Sequence, residues 1–148
     1  MSSGAVGDEP IIRRGDAADV PDLLAFWAVA GENAARPSDD AALVENLLAR
    51  DADSLLVAER NGMIVGTVIA GWDGWRAHLY RLAVDPESRG QGIARRLVLA
   101  AEERLRALGA IRFDAMVLSG NALGETAWTA LGYEPQHDWT RWVKPSGA

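Results

Sequence analysis

Cysteine is absent from the 148 residues, and histidine occurs only twice, at His78 and His137. The first absence excludes a disulfide framework, a thiolate zinc site and a cysteine nucleophile. Two histidines leave little for a multi-histidine metal centre, so no metal is expected. Lysine is nearly missing as well. Lys144 is the only one, and arginine carries the rest of the positive charge. No apolar run approaches the roughly 18 residues of a membrane span. Met1–Pro10 has neither a basic start nor an apolar stretch, unlike a secretory leader. A cytoplasmic protein without membrane association is the expectation.

What is present is ordinary globular material: 49% hydrophobic and 24% charged residues, enough for one domain with a real core. Residues 1–9 read as a flexible N-terminus and 10–148 as a single domain. The net charge of −6 is unevenly placed. Residues 1–60 hold twelve acids against five arginines, whereas Arg76–Arg112 contains eight arginines and four acids. Such a chain lacks the broad basic face that nucleic acid requires. It suits instead a molecule whose first part tolerates cations and whose middle meets an anion.

Pro10–Arg14 reads as a short strand, after which Asp16 or Asp19 caps a helix to about Ala30. Ser38 caps a second helix to about Arg50. Leu55–Glu59 and Met63–Ala70 are β-like runs around Asn61-Gly62, the strongest short hairpin signal, and should pair antiparallel. His78–Val84 is a further strand, stopped by Asp85-Pro86. Ile93–Leu108 is the clearest helix, with Ile93, Leu97, Ala100, Ala101, Leu105 and Leu108 as its inward stripe and Gly109 as its stop. Phe113–Leu118 is a strand, Gly120-Asn121 opens a helix to about Leu131, and Trp139–Val143 is a last strand. Strands interleaved with helices make this an α/β protein.

The chemistry concentrates at Arg89-Gly90-Gln91-Gly92-Ile93-Ala94, between an apolar strand and the strongest helix. Small residues there let backbone N–H groups approach an anion, and the helix aims its positive end at the same spot. Arg89, Arg95 and Arg96 add charge. A dinucleotide fingerprint would need a third glycine where Arg95 stands, and a P-loop would need Gly-Lys-Ser/Thr; neither is present.

Arg89-x-x-Gly92-x-Ala94, after Leu82-Ala83-Val84-Asp85-Pro86, resembles the acetyl-CoA motif (Q/R)-x-x-G-x-(G/A) of the GNAT superfamily of N-acetyltransferases. The order of the other elements is similar too. Ile11-Ile12-Arg13 before Asp19-Val20-Pro21-Asp22, the Asn61-Gly62 hairpin with Gly66-Thr67-Val68, and Asn121 before Leu131-Gly132-Tyr133 fall where that family has its corresponding features. The resemblance implies a mixed central sheet splayed between its fourth and fifth strands, with helices on both faces. A bulge near Leu82 would free backbone groups there. It also implies acetyl-CoA or coenzyme A as cofactor. Leu82, Ala83 and Val84 would pair with the pantetheine arm. Arg89, Gly90, Gln91, Gly92, Ile93, Ala94 and Arg95 would cradle the pyrophosphate, and Asn121 would face the pantetheine.

The implied reaction is direct attack of a primary amine on the acetyl carbonyl, the acceptor being a small molecule or a protein N-terminus. Lack of cysteine agrees, since no acetyl-enzyme thioester can form. Many family members place a tyrosine acid eight positions into the late helix, counting Asn121 as one; here Trp128 stands there, a pocket wall that cannot act as an acid. Some carry a glutamate base where Met116 stands. His78 is the candidate base in its place, sharing strand parity with Tyr80, Leu82 and Val84, and Tyr80 is a second catalytic candidate. Asp114 is a weaker one. Trp27, Trp72, Trp75, Trp139 and Trp142 would wall the acceptor side, with Glu32 or Asp39 steering a cationic amine. The missing tyrosine and glutamate leave a second expectation, a non-catalytic acyl-CoA-binding module. The chain is expected to be a monomer or homodimer.

Overall fold

The structure is a computed structural model that describes residues 9–30 and 39–147. The chain divides into two compact units, one ending at Met116 and one beginning at Val117.

The first unit is built on a five-stranded sheet in the order β1 (Ile11–Arg14), β2 (Leu55–Arg60), β3 (Met63–Trp72), β4 (Ala77–Val84) and β5 (Phe113–Ala115). The first four strands are antiparallel neighbours, and β5 lies parallel to β4. The β2–β3 turn is the expected Asn-Gly hairpin. Asn61 and Gly62 have φ of 52° and 79°, the double left-handed geometry of a turn that follows the twist of its strands.

Helices α1 (Val20–Ala30) and α2 (Ala41–Arg50) cover one face. Val20, Leu23, Trp27 and Val44 pack there on Leu55, Val57, Ile69 and Ala83, with Tyr80 at the margin. Entry into α1 is a 3₁₀ turn, Ala17–Asp19, closed by a reciprocal cap. The Asp16 carboxylate accepts the Ala18 N–H and the Asp19 carboxylate accepts the Asp16 N–H, both at 2.9 Å. Arg13 on β1 donates to both Asp19 oxygens, at 2.8 and 2.9 Å, and to Glu59 on β2 at 2.6 Å. Its guanidinium holds the Asp19 carboxyl below the usual carboxylate range. At α2 the cap is Asp40, which accepts the Ala42 N–H at 2.8 Å. Ser38, the expected cap, lies outside the described residues, as does Glu32.

Helix α3 (Ile93–Leu108) covers the other face and has the expected bounds. Ile93, Leu97, Val98, Ala101 and Leu105 are buried, while Leu108 at the helix end is half exposed. Gly109, at φ 112°, ends it, with the Ala110 N–H returning to the Leu105 carbonyl. The helix lies close to β3 because position 66 has no side chain. A Cβ on Gly66 would sit 2.9 Å from both Ile93 Cγ2 and Leu97 Cδ1.

In the second unit α4 (Ala122–Ala130) is capped by Asn121, whose side-chain oxygen accepts the Gly124 N–H at 3.1 Å. Trp128 is buried and meets Tyr133 edge-on, with ring centroids 4.8 Å apart. The strand expected at Trp139–Val143 does not form, and β5 ends at Ala115 rather than Leu118. The apolar, β-prone residues at 139–143 stay exposed, because a strand persists only when a neighbour takes up its N–H and C=O groups.

Two outcomes follow from these contacts. Gly66→Val overfills the β3–α3 contact and is expected to destabilise the fold by about 1–3 kcal/mol in urea unfolding; an unchanged midpoint would contradict that seat. Asp19→Asn lowers stability at neutral pH. Because folding depresses the Asp19 pKa, the difference from the parent is full above the unfolded value of about 3.9. It fades as pH falls through the lower folded value, which urea midpoints from pH 7 down to pH 2 would follow.

Candidate functional site

β4 begins with partners on both edges and ends with one. β5 pairs only with Ala77–Leu79, whereas Tyr80–Val84 continue along β3 alone among the described residues. The two parallel strands thus part after Leu79 and Ala115, leaving one edge of Leu82, Ala83 and Val84 without a strand partner.

A bulge sits at the parting. Ile69 pairs with Tyr80, yet Thr67 pairs with Ala83, so β4 carries one extra residue over that interval. Arg81 absorbs it in a left-handed conformation, φ 55°. The bulge resets the alternation of faces, which corrects the expected shared parity. Tyr80 and Ala83 both join the α1–α2 core, whereas Val84 pairs with Gly66 and, with Leu82, belongs to the α3 side.

Past Val84 the chain turns through Asp85 and a short 3₁₀ segment, Pro86–Ser88, into the glycine loop. Gly90 and Gly92 have φ of 79° and 80°, which any other side chain would strain. Among the described residues, a Cβ at either would meet no atom within 4 Å beyond its own chain neighbours, so open space lies over the loop backbone. Gly92 caps α3 without a side-chain hydrogen bond, and the first helical bond runs from the Arg96 N–H to the Gly92 carbonyl at 3.1 Å. The N–H groups of Ile93, Ala94 and Arg95 therefore precede the helical ladder at its positive end. Ile93 is buried below, while the Arg89 and Arg95 side chains are exposed beside the loop.

One residue of this loop's support has no sequence signature. Arg60, the last residue of β2, donates to Ser88 Oγ at 3.2 Å and to the Gln91 side-chain oxygen. Ser88 Oγ in turn donates to Asp85 Oδ2 at 3.3 Å. The Gln91 side chain is thus part of the clamp that shapes the loop.

The catalytic candidates are spread along β4. His78 lies at the hairpin end, half exposed, with Nε2 3.9 Å from Asp73 Oδ2. The Arg76 and Trp75 N–H groups hold that aspartate's carboxyl low. His78 stands four positions before Leu82, roughly 13 Å along a strand. Tyr80 is half buried, and desolvation raises its phenol above the ordinary value, so it stays protonated. Its ring leans toward Gly71, the hairpin end, rather than toward the bulge. Asp114 pairs with Arg112 at 2.8 and 2.9 Å.

The proposed aromatic wall is corrected in one member. Trp27 is a core residue, 2% exposed, whose Nε1 donates to Thr67 Oγ1 at 2.8 Å. Trp75, Trp139 and Trp142 are exposed, and Trp75 lines a hollow of about 270 Å³ with Arg76, Ala77, Ile111, Arg112 and Asp114. Asp39 is paired with Arg81 at 2.8 Å. Among the described residues no three histidine or carboxylate side chains cluster as a metal site, and no helix is long and apolar enough to cross a membrane.

Residues 21–133 match the model of the acetyltransferase (GNAT) family. An acetyltransferase from Yersinia pestis (strain Pestoides F) is 39% identical over 102 residues, spanning 68% of this chain and 72% of that protein. Among solved structures, the ribosomal-protein-alanine N-acetyltransferase from Brucella melitensis is 29% identical with a TM-score of 0.69, covering 84% of each chain. The PaiA N-acetyltransferase from Thermoplasma acidophilum, solved in complex with coenzyme A, shares the fold at 19% identity and a TM-score of 0.72 over 82% of this chain and 87% of that one.

The Arg60 clamp carries its own expectation. Arg60→Ala should speed amide exchange at 88–92 while leaving the exchange of β2 and β3 nearly as in the parent. Unchanged loop exchange would mean that the glycine loop holds its shape without Arg60.

Proposed function

The chain belongs to the acetyltransferase (GNAT) family, and from that membership we propose that it moves an acetyl group from acetyl-CoA directly to a primary amine of a small molecule or of a protein N-terminus. The observation that carries the reading is the glycine loop. Gly90 and Gly92 hold left-handed turns under open space, with the uncapped N-terminus of α3 behind them and the free edge of β4 leading to them. That donor set fits a diphosphate: backbone N–H groups at the positive end of a helix, flanked by the Arg89 and Arg95 side chains. The coenzyme A found with the Thermoplasma relative supports the same assignment.

In this reading Gly90, Gly92, Ile93, Ala94 and Arg95 offer backbone donors to the pyrophosphate, and Gln91 acts through the Arg60 clamp. Leu82, Ala83 and Val84 offer their unpaired edge to the pantetheine arm, as a strand receives a neighbour. When bound, acetyl-CoA would supply a thioester whose carbonyl carbon a neutral amine could attack, the C–N bond forming as the C–S bond breaks and the proton lost from nitrogen balancing the departing thiolate. In this reading a backbone N–H near Val84 steadies the oxyanion.

Proton handling is less demanding than the missing tyrosine suggests. A thiol has an ordinary pKa near 8.5, so it departs without obligatory protonation. The amine, at about 10.4, must lose a proton before attack. Tyr80, kept protonated by burial, is a donor and not the base. His78 is our candidate base and reaches the bulge only through water, given its distance along β4. Asn121 and Trp128 stay in the proposal at the family's positions, with Trp128 as an apolar wall and not an acid.

The acceptor divides two readings. The Brucella relative is named for ribosomal-protein alanine, the Yersinia relative only for acetyl transfer, so small amines and N-terminal peptides both belong in any screen.

Gly92→Glu puts a side chain and a negative charge over the diphosphate donors and is expected to abolish coenzyme A binding by calorimetry. The urea midpoint should fall by about 1 kcal/mol or somewhat more, the cost of a left-handed non-glycine residue. Unchanged affinity in a folded variant would remove the loop from the site.

A further inference from the structure

The bulge on β4 is held from two sides by Thr67, Trp27 and Asp39, none of them among the residues assigned to coenzyme A. Arg81 and Asn61 are the two non-glycine residues with positive φ among those described, and only Asn61 belongs to a turn that favours the conformation. A long side chain at φ 55° in a strand persists only where its surroundings over-determine it.

The grip on the backbone has a forced direction. The Trp27 indole N–H can only donate, so Thr67 Oγ1 must accept it, at 2.8 Å. The single hydroxyl proton of Thr67 is then left for the Arg81 carbonyl, 2.9 Å away. Thr67 is fully buried and Trp27 nearly so, so the indole bond is shielded from water, while the bond to the Arg81 carbonyl is part-buried. The side chain is gripped as well. The Arg81 guanidinium lies 5.9 Å over the Trp27 ring and donates to Asp39 Oδ1 at 2.8 Å. Asp39 is the residue before the α2 cap. Trp27 therefore acts on Arg81 twice, through Thr67 on its backbone and through its ring on its side chain.

We propose that Arg81 is a positioning residue, held by Thr67, Trp27 and Asp39, that fixes the β4 bulge and so aims the free edge of Leu82, Ala83 and Val84 at the arm of coenzyme A. This rests on the coenzyme A reading above and adds the device that sets its geometry. The bulge lies where β5 leaves β4, and it decides which of the following residues face α1 and α2 and which face α3. Arg81→Ala removes the side-chain grip on the bulge, keeps the Thr67 bond to the carbonyl at position 81, and leaves the glycine loop, 8 or more residues further along the chain, unaltered in sequence.

Hydrogen exchange with and without coenzyme A tests this without requiring turnover. In the parent chain, coenzyme A slows amide exchange in two segments, Leu82–Val84 and Gly90–Ile93. In Arg81→Ala the protection at Leu82–Val84 is lost and that at Gly90–Ile93 stays. Asp39→Asn, which alters no core side chain, does the same to a smaller extent and serves if Arg81→Ala does not fold. Arg81→Lys, which keeps the cation over Trp27 and beside Asp39, restores most of the first protection. Protection of both segments in Arg81→Ala and Asp39→Asn, as in the parent, would overturn the positioning role and leave the pair a contributor to stability. Protection of neither segment in the parent would overturn the coenzyme A reading itself, and this proposal with it.

Discussion

The close approach of α3 to β3 at Gly66 is the constraint on which the rest of the first unit depends. Van der Waals contact with Ile93 and Leu97 leaves no room for a Cβ there, and the helix sits deeper on the sheet than any side chain would allow. Ile93 is the first residue of that helix, so the contact also fixes where its positive end stands. Gly66 pairs in turn with Val84, the last residue of β4. One glycine thus brings the end of β4, the start of α3 and the loop between them to a single place.

Its neighbour serves the opposite face. Successive residues of a strand point to opposite sides, so Gly66 looks toward α3 and Thr67 toward α1. Through Trp27 and Arg81, Thr67 ties the α1 side to the bulge. Two adjacent residues of β3 therefore govern the two halves of the proposed site: the glycine loop on one face and the direction of the β4 edge between them. Electrostatics follows the same division. The acids of residues 1–60 are largely spent on structure where they are described, as caps at Asp16 and Asp40 and as partners at Asp19, Asp39 and Glu59. The steering of a cationic acceptor by the first part of the chain is correspondingly weaker than the raw charge suggests.

Much of this was legible before any coordinates. Helix Ile93–Leu108 was plain from its stripe and from Gly109 as its stop, because periodicity and the glycine end agreed. The Asn61-Gly62 hairpin was equally plain, since its turn chemistry is local. The glycine loop stood out because small residues before a helix have a direct physical meaning, and the left-handed glycines and helix start found there are what the coenzyme A proposal rests on. What stayed hidden depends on register. Nothing local marks Arg60 as the clamp of a loop nearly thirty residues on, or Thr67 as the residue between an indole and a bulge. Simple alternation put His78, Tyr80, Leu82 and Val84 on one face, and a single extra residue at Arg81 undid it. The strand expected at Trp139–Val143 failed for a related reason: composition proposes a strand, but only a partner makes one.

The central claim is direct acetyl transfer to an amine, and mass spectrometry tests it most directly. The chain would be incubated with acetyl-CoA and a panel of small amines, amino acids and N-terminal peptides. Both the free coenzyme A and every panel member would be followed over time, with the intact protein mass recorded alongside. The account predicts that at least one amine gains an acetyl group in step with coenzyme A release, and that the protein never carries an acetyl group of its own. Tight coenzyme A binding with no acetylated amine and no thiol release would contradict it and leave a binding module in place of the enzyme.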